Sequence, residues 1–248
     1  MTSAAEIAGQ LIASFRDQAT DPTPPPPTRR LPPLAAPVPI APSPTVQRAD
    51  LLTTLKRRRS LRFFDGGSLA VGELLDCVAA GQELDRAGWA ADDGALLEVT
   101  ALCARVEGLE PGIFRLDPAR REAALVAPLP SAELLGELTL QAEFGQAAAI
   151  LSFGGDLEAA SRAGGRGYRE LMCRAGATAY AVWLDAVSRG WVGSVFAGFI
   201  PAAVRRRLAS DGVSRHQLFA LALGTAPTEP PLSTGGGSTL TRREEEQA

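Results

Sequence analysis

The sequence predicts an α+β fold, because helical and strand-like patterns follow one another without a sustained βαβ repeat. Three stretches lead to this prediction. Residues 96–107 alternate polar and apolar side chains as a strand does, residues 147–153 form an apolar run typical of a buried strand, and residues 167–189 carry the longest helical pattern. With 46% hydrophobic and 21% charged residues, the 248-residue chain can build one sizeable core or two small ones.

The chain divides into four predicted segments. Residues 1–20 place apolar side chains at helical spacing and predict a short N-terminal helix. Residues 21–45 are rich in proline, which removes backbone donors, and they predict a linker or arm. This arm is either a passive spacer, a segment that wraps a partner subunit, or a docking peptide. A folded domain is expected over residues 46–225, and a disordered tail over residues 226–248.

Two helices are predicted before the first strand, at residues 48–57 and 69–81, and Gly81 stands where a glycine would end the second. Pro111 and Gly112 mark a turn after the strand at 96–107. The other predicted elements are strands at 113–116, 123–127, 147–153 and 218–223, helices at 132–144, 167–189 and 201–209, and an apolar strand or loop at 191–199.

Composition argues against several classes of protein. The net charge of −3 does not suit a nucleic-acid binder, and three cysteines without a CxxC pair suit neither a disulfide framework nor a zinc site. The single histidine, His216, excludes a site built from several histidines. No stretch approaches the roughly 20 apolar residues of a membrane span, and the first residues lack the basic start of a secretory signal. We therefore expect a cytoplasmic protein that binds no membrane.

The basic run from Lys56 to Arg62 is the first segment that suggests chemistry. Arginine offers a forked set of donors and serine a short one, so Arg58, Arg59, Ser60 and Arg62 can converge on one phosphate. A solvated basic face and an RNA-binding patch are the alternatives, and no aromatic-rich basic stretch elsewhere supports the second.

Five segments in the same order resemble the nitroreductase superfamily, and most closely its SagB-type dehydrogenases, which oxidise azoline rings in modified peptides. They are the RRSLRF run at 58–63, the VEGLEPGIFRLD stretch at 106–117, the RGYR at 166–169, the region 184–193, and the VFAGF at 195–199. The resemblance spans roughly residues 48 to 224. It implies an FMN-binding fold with a mainly antiparallel central sheet flanked by helices and a long central helix at a dimer interface.

The same resemblance implies roles for individual residues. Residues matching Arg58, Arg59, Ser60 and Arg62 hold the phosphate, ribityl chain and pyrimidine edge of FMN. The backbone N–H of Ala197 is the candidate contact to the reactive N5 atom, and Gly198 lets the chain approach the flavin ring. Gly94 is retained in a loop that otherwise reads Ala91, Asp92, Asp93. Asp92 and Asp93 lie either near the cofactor's polar edge or in a solvated turn.

One departure concerns the proton. Azoline-oxidising relatives carry a Lys-Tyr pair just before RGYR, and the matching positions here are Arg162 and Ala163. Arginine stays protonated and makes a poor base, so no catalytic base is assigned; Tyr168 or a water near the substrate would take the proton. The end of the last strand, at Thr225, also lacks the basic residues that help bind phosphate in many nitroreductases.

Three functions remain open. The first is an FMN-dependent dehydrogenase that oxidises thiazoline or oxazoline to the azole in a peptide substrate. The second is a catalytically degenerate subunit that pairs with an active partner or binds peptide. The third is an NAD(P)H-dependent nitro- or quinone reductase, which needs no general base. In each case the resemblance implies a homodimer or a heterodimer with another nitroreductase-fold or biosynthetic subunit.

Overall fold

The structure, a computed structural model, describes residues 6, 10, 32–89, 97–129, 137–162, 164–197, 207 and 210–227. The helices with bounds in this part are α1 (Leu51–Arg57), α2 (Val71–Trp89), α3 (Leu157–Ser161) and α4 (Gly164–Ser188). The strands are β1 (Val38–Pro39), β2 (Leu69–Ala70), β3 (Glu98–Cys103), β4 (Val106–Glu107), β5 (Gly112–Asp117), β6 (Glu122–Pro128), β7 (Ala149–Gly155), β8 (Val192–Phe196) and β9 (His216–Gly224).

Seven of these strands form one sheet in the order β1-β6-β5-β3-β7-β9-β8. Every neighbouring pair in it is antiparallel. The other two strands, β2 and β4, pair in parallel. The predicted α+β fold with a mainly antiparallel central sheet flanked by helices is thereby confirmed.

The alternation of side chains along the strands divides the core between the two faces of the sheet. Ala101 and Cys103 of β3 point to one face, where α2 and α4 pack through residues such as Leu75 and Val182. Leu102, between them, belongs to a second cluster on the opposite face. The sheet is therefore covered on both faces, and α4 lies against its β8–β9 end.

The second helix extends well beyond its predicted end. Gly81 was expected to end it, but it lies in the middle of α2, at the contact with α4. A Cβ atom at Gly81 would lie 2.5 Å from Cγ2 of Val182 and 2.9 Å from the carbonyl oxygen of Thr178. The glycine is present because two helices approach closely there, which a single-sequence pattern does not distinguish from a helix end.

Gly81→Ala is expected to lower the free energy of unfolding by about 1 to 3 kcal/mol, because the added methyl group overpacks the α2–α4 contact. Gly88→Ala in the same helix is the matched control. Nothing lies within 4 Å of a Cβ atom at Gly88, so this change should raise stability by up to about 1 kcal/mol through helix propensity. Urea unfolding of both variants measures the difference, and equal effects would contradict the packing role of Gly81.

The helix predicted at 132–144 does not reach its expected end. Residues 137 and 138 are helical, residues 139–141 are not, and a 3-10 turn follows at Ala142–Gln146. The hydroxyl of Thr139 donates to the carbonyl oxygen of Gln141 at 2.8 Å, a local bond that competes with helical hydrogen bonding. Residues 131–136 lie outside the described part.

Part of the proline-rich segment lies along the sheet. Val38 and Pro39 pair with Ala123 and Glu122 of β6, and the buried Ile40 donates its N–H to the carbonyl of Arg121 at 2.7 Å. This pairing covers the β6 edge, so the segment's second half contributes a strand to the domain. The boundaries predicted at 20, 45 and 225 otherwise remain predictions.

Several sequence predictions fall largely outside the described residues. Of the N-terminal helix, only Glu6 and Gln10 are described, and both are helical; of the helix at 201–209, only Arg207 is described, and it is also helical. Of the tail, only Ala226 and Pro227 are described. Among the described residues, no helix combines the length and the apolar character that crossing a membrane requires.

Candidate functional site

The basic run begins at the end of α1. Asp50 caps this helix by accepting from the N–H of Thr53 at 3.0 Å, and the chain leaves the helical conformation at Arg58 (φ −58°, ψ 115°). The start of the helix is held by the N–H of Ala49, which donates to the carbonyl of Ser188 at the end of α4 at 2.9 Å. Arg58, Arg59, Ser60 and Arg62 therefore follow the helix on an extended stretch of chain.

This stretch lies beside β8. The N–H of Leu61 donates to the carbonyl of Gly193 at 3.1 Å, and Ser60 forms a parallel bridge with the same residue. A Cβ atom at Gly193 would collide with the carbonyl oxygen of Ala222 on β9, so only glycine fits there. Two of the motifs that the sequence singled out, the basic run and the segment around Gly193, are thus brought together.

Arg58, Arg59 and Arg62, called the clamp arginines from here on, differ in their partners from several other arginines of the described chain. Ion pairs with carboxylates are formed by arginines such as Arg48, Arg121, Arg174, Arg189 and Arg215. Within the same described part, Arg58, Arg59 and Arg62 have no carboxylate partner, and Arg59 and Arg62 are exposed. Their uncompensated positive charge and unused donors suit an anionic group such as a phosphate.

Arg58 contacts α4. The central carbon of its guanidinium lies 4.8 Å from the ring centroid of Trp183 and 5.9 Å from that of Tyr180. Trp183 and Tyr180 in turn meet edge to face, with centroids 6.0 Å apart. No sequence motif singles out these two aromatic residues; their spacing of three on a helix is the available signal, since such residues share one face.

The end of β9 contacts the chain just after the basic run. The N–H of Asp65 donates to the carbonyl of Thr225 at 3.3 Å, and the Thr225 hydroxyl donates to the Asp65 carboxylate. That hydroxyl, followed by the N–H of Gly67, lowers the pKa of Asp65 below its ordinary value. The groups that meet at the end of β9, just after the basic run, are therefore the Asp65 carboxylate and Thr225 rather than basic side chains.

The end of β8 leads to the residues expected at the flavin ring. Phe196 stacks on Phe144 of the 3-10 turn, with centroids 4.1 Å apart and planes 16° from parallel. Ala197 follows directly and is exposed. Phe144, which is buried, was missed as a site neighbour because the sequence placed it in a helix. Gly198 and Gly94, together with Asp92 and Asp93, lie outside the described residues.

The residues considered for proton transfer lie apart from the clamp. Arg162 follows α3, and Ala163 is outside the described part. Tyr168 is exposed near the start of α4, and Tyr180 is twelve residues further on. At the rise of an α-helix, this separates the two tyrosines by about 18 Å along the axis. Tyr168 and the Arg58 contact therefore lie towards opposite ends of α4.

Thiol and metal chemistry find little support in the described part. Cys77 and Cys103 are buried, and burial raises the pKa of Cys103 to about 12. Burial, followed by the nearby Asp185, also raises the pKa of Cys77 well above its ordinary value. Cys173 is exposed. No group of three or more histidine, cysteine or carboxylate side chains suited to a metal ion occurs among the described residues.

The family follows from comparison with known proteins. A model of the nitroreductase family matches residues 55–225, a range that begins within α1, includes the basic run and ends just after β9. The chain belongs to the nitroreductase family. Its sheet and site can accordingly be compared with solved structures of the same fold. A search of curated protein sequences gives no significant match.

Three similar structures illustrate the relationship. A protein from Anabaena variabilis assigned as a nitroreductase is 26% identical, with a TM-score of 0.60; the match covers 72% of this chain but only 38% of that one. The E. coli microcin synthetase McbBCD complex with truncated pro-MccB17 bound is 16% identical (TM-score 0.55; 75% and 76% covered). An Exiguobacterium sibiricum protein assigned as a nitroreductase, in complex with FMN, is 12% identical (TM-score 0.51; 73% and 91% covered). The last two identities show a common fold alone.

Proposed function

We propose that this nitroreductase-family chain binds FMN and oxidises a thiazoline or oxazoline ring to the azole in a ribosomally made peptide. The observation that carries the FMN site is the group of three arginines, Arg58, Arg59 and Arg62, without a carboxylate partner in the described chain. They lie beside β8, whose end leads to the proposed ring contact at Ala197.

The donor set suits FMN. A phosphate dianion needs several charge-assisted donors, which the arginines and the Ser60 hydroxyl supply. The backbone N–H of Ala197 would meet N5 of the flavin, Gly198 would face the ring, and Gly94 would lie in the loop at its polar edge. Bound FMN supplies a hydride acceptor, while the protein binds and orients both reactants.

The peptide substrate is supported by two observations. The segment 106–117 and the RGYR at 166–169, at the start of α4, resemble motifs of SagB-type dehydrogenases in the same order. In addition, one structure of the same fold is the E. coli microcin synthetase complex, and truncated pro-MccB17 is bound to that complex. Transfer of a hydride from the ring to FMN and loss of one ring proton would give the azole, with oxygen as the electron acceptor.

The lack of an evident proton acceptor among the candidate residues favours a second candidate function, that of a catalytically degenerate subunit. Arg162 occupies the position at which azoline-oxidising relatives carry the lysine of their Lys-Tyr pair, and an arginine side chain is a poor general base. Tyr168 lies about 18 Å along α4 from Tyr180, which contacts Arg58, so it is not part of the proposed phosphate end of the site. If no residue can take the proton, the chain is a degenerate subunit of a larger assembly. A reductase using NAD(P)H, which needs no base, is the third candidate.

The surface beside the clamp supports a dimer. Helix α1 exposes Leu51, Leu52 and Leu55, and Phe63 is exposed just after the clamp. Several exposed large apolar side chains on one short helix and just after it suit an interaction surface. We therefore propose that a second nitroreductase-fold subunit, either another copy or a related chain, covers α1 and completes the site.

Sedimentation of the purified protein, followed at the protein and the flavin absorbance, tests both points at once. We expect one species at twice the chain mass that carries flavin, and heat should release FMN in near-equal amount to chains. Flavin-free protein that FMN cannot reconstitute would favour the degenerate subunit. A monomer that nevertheless holds FMN would contradict the shared site but not the clamp.

Two assays then separate the enzymatic candidates. A peptide carrying a thiazoline should lose two hydrogens in mass when incubated with the FMN-loaded protein and oxygen, with formation of hydrogen peroxide. Oxidation of NAD(P)H by a quinone or nitroaromatic compound, without any change in the peptide, would identify the reductase instead. The protein incubated without oxygen is the control for peptide oxidation.

A further inference from the structure

We propose that Trp183 and Tyr180 are positioning residues that hold Arg58 in place for the phosphate of FMN. This inference rests on the FMN site proposed above and names two residues of α4 that no sequence motif assigned to it. The arrangement consists of one guanidinium and two aromatic rings, with distances of 4.8 Å to Trp183 and 5.9 Å to Tyr180. Both lie within the range of a cation–π interaction.

Two backbone hydrogen bonds, one before and one after Arg58 in the sequence, hold the chain so that Arg58 lies beside Trp183 and Tyr180. Ala49 is bonded to Ser188 at the end of α4, and Leu61 is bonded to Gly193 on β8. Between them, Arg58 leaves α1 with its own N–H donating to the carbonyl of Thr54 at 2.9 Å. The backbone on both sides of the arginine is therefore fixed, and only its side chain needs to be ordered.

Stacking orders that side chain without using its hydrogen-bond donors. A guanidinium attracted to an aromatic face keeps its N–H groups at its edges, where they can form a forked pair with a phosphate. An arginine side chain loses much rotamer freedom when it binds an anion. Since the rings of Trp183 and Tyr180 already restrict Arg58, less of that freedom remains to be lost on phosphate binding.

The surroundings of Trp183 indicate that its aromatic ring, rather than its Nε1–H group, makes the interaction that matters at this position. The residue is 4% exposed, and within the described chain its Nε1–H has no hydrogen-bond partner. Burying an unpaired N–H group destabilises the fold, and an apolar side chain at this position would avoid that cost. Of all side chains, tryptophan offers the strongest cation–π face, which is the property that Arg58 uses here.

A double-mutant cycle tests the proposal with FMN and riboflavin, which differ only in the phosphate. Trp183→Leu should weaken FMN binding about threefold to tenfold, the range of a partly buried cation–π contact. It should leave riboflavin binding unchanged. In the Arg58→Ala background, Trp183→Leu should have no further effect on either ligand. Dissociation constants come from the quenching of flavin fluorescence.

Two further variants, of which Trp183→Phe is conservative, guard against loss of the fold. Trp183→Phe keeps an aromatic face and should retain most of the preference for FMN over riboflavin. Tyr180→Leu changes a partly exposed residue and should reduce that preference about twofold, because its ring is further from Arg58. Circular dichroism confirms that each variant is folded.

The outcomes separate this proposal from the proposed function. If the tryptophan and tyrosine variants weaken FMN and riboflavin equally, or if Trp183→Leu has the same effect with Arg58 as without it, the positioning role is wrong. The proposed FMN site would still stand in that case. If the unaltered protein binds neither flavin, the proposed function is overturned, and the positioning role with it.

Discussion

Changing Arg58 and Arg62 together to alanine is expected to lower FMN affinity by about two to four orders of magnitude. Each charge-assisted hydrogen bond contributes about 1.5 to 3 kcal/mol, and 1.4 kcal/mol corresponds to a tenfold change. Neither arginine has a carboxylate partner in the described chain, so the change should remove binding energy without breaking an internal ion pair. The ratio of FMN to protein chains after purification, measured by absorbance, gives the result.

Arg120→Ala provides the matched control for the loss of positive charge. Arg120 is an exposed arginine in the turn between β5 and β6, away from the basic run. Its removal should leave the flavin content unchanged. If the double variant retains stoichiometric FMN, the set of Arg58, Arg59, Ser60 and Arg62 does not form the phosphate site.

Arg174→Met is expected to lower the free energy of unfolding by about 3 to 5 kcal/mol. Asp85 of α2 is 0% exposed, and Arg174 of α4 meets it through two hydrogen bonds, from Nε to Oδ1 and from Nη2 to Oδ2, each 2.7 Å long. Removal of the guanidinium leaves a buried carboxylate without its charged partner. Urea unfolding monitored by circular dichroism measures the loss.

Two comparisons make this test specific. Arg48→Met removes an arginine that is 51% exposed and paired with Asp185, which also pairs with Arg189, so the loss should stay below about 1 kcal/mol. Replacing both partners, as in Asp85→Leu with Arg174→Met, should recover most of the stability, because no buried charge is then left alone. An equally unstable double variant would show that the pair's shape, rather than its charge, matters.

The sequence located several strands because their signals are local, but the strand predicted at 96–107 ends at Cys103, and Val106–Glu107 belong to the separate two-stranded sheet. The apolar run at 147–153 and the final run at 218–223 correspond to β7 and β9, which lie next to each other in the sheet. Gly81 was wrongly placed at a helix end because its reason lies in α4, far along the chain. The helix at 132–144 was extended too far because the Thr139 hydrogen bond is invisible to periodicity.

In the candidate site too, local motifs could be recognised from the sequence, whereas contacts between distant segments could not. The basic run and the segment around Gly193 were recognised as motifs, and the structure brings them together at one bridge. The aromatic contacts of Arg58 and the stack of Phe144 on Phe196 depend on which surfaces meet in space. Likewise, the absence of a carboxylate partner for the clamp arginines in the described chain becomes apparent only from three-dimensional distances.

The bridge between Ser60 and Gly193 also sets an order of events during protein synthesis. The ribosome makes the basic run first, and roughly 130 further residues must follow before Gly193 exists. At about 5 to 20 residues per second, the run waits roughly 7 to 26 seconds for the strand that supports it. During translation, the nascent chain therefore carries these positive charges without their binding site. Any phosphate-bearing ligand that needs both parts can be captured only when most of the domain has been made.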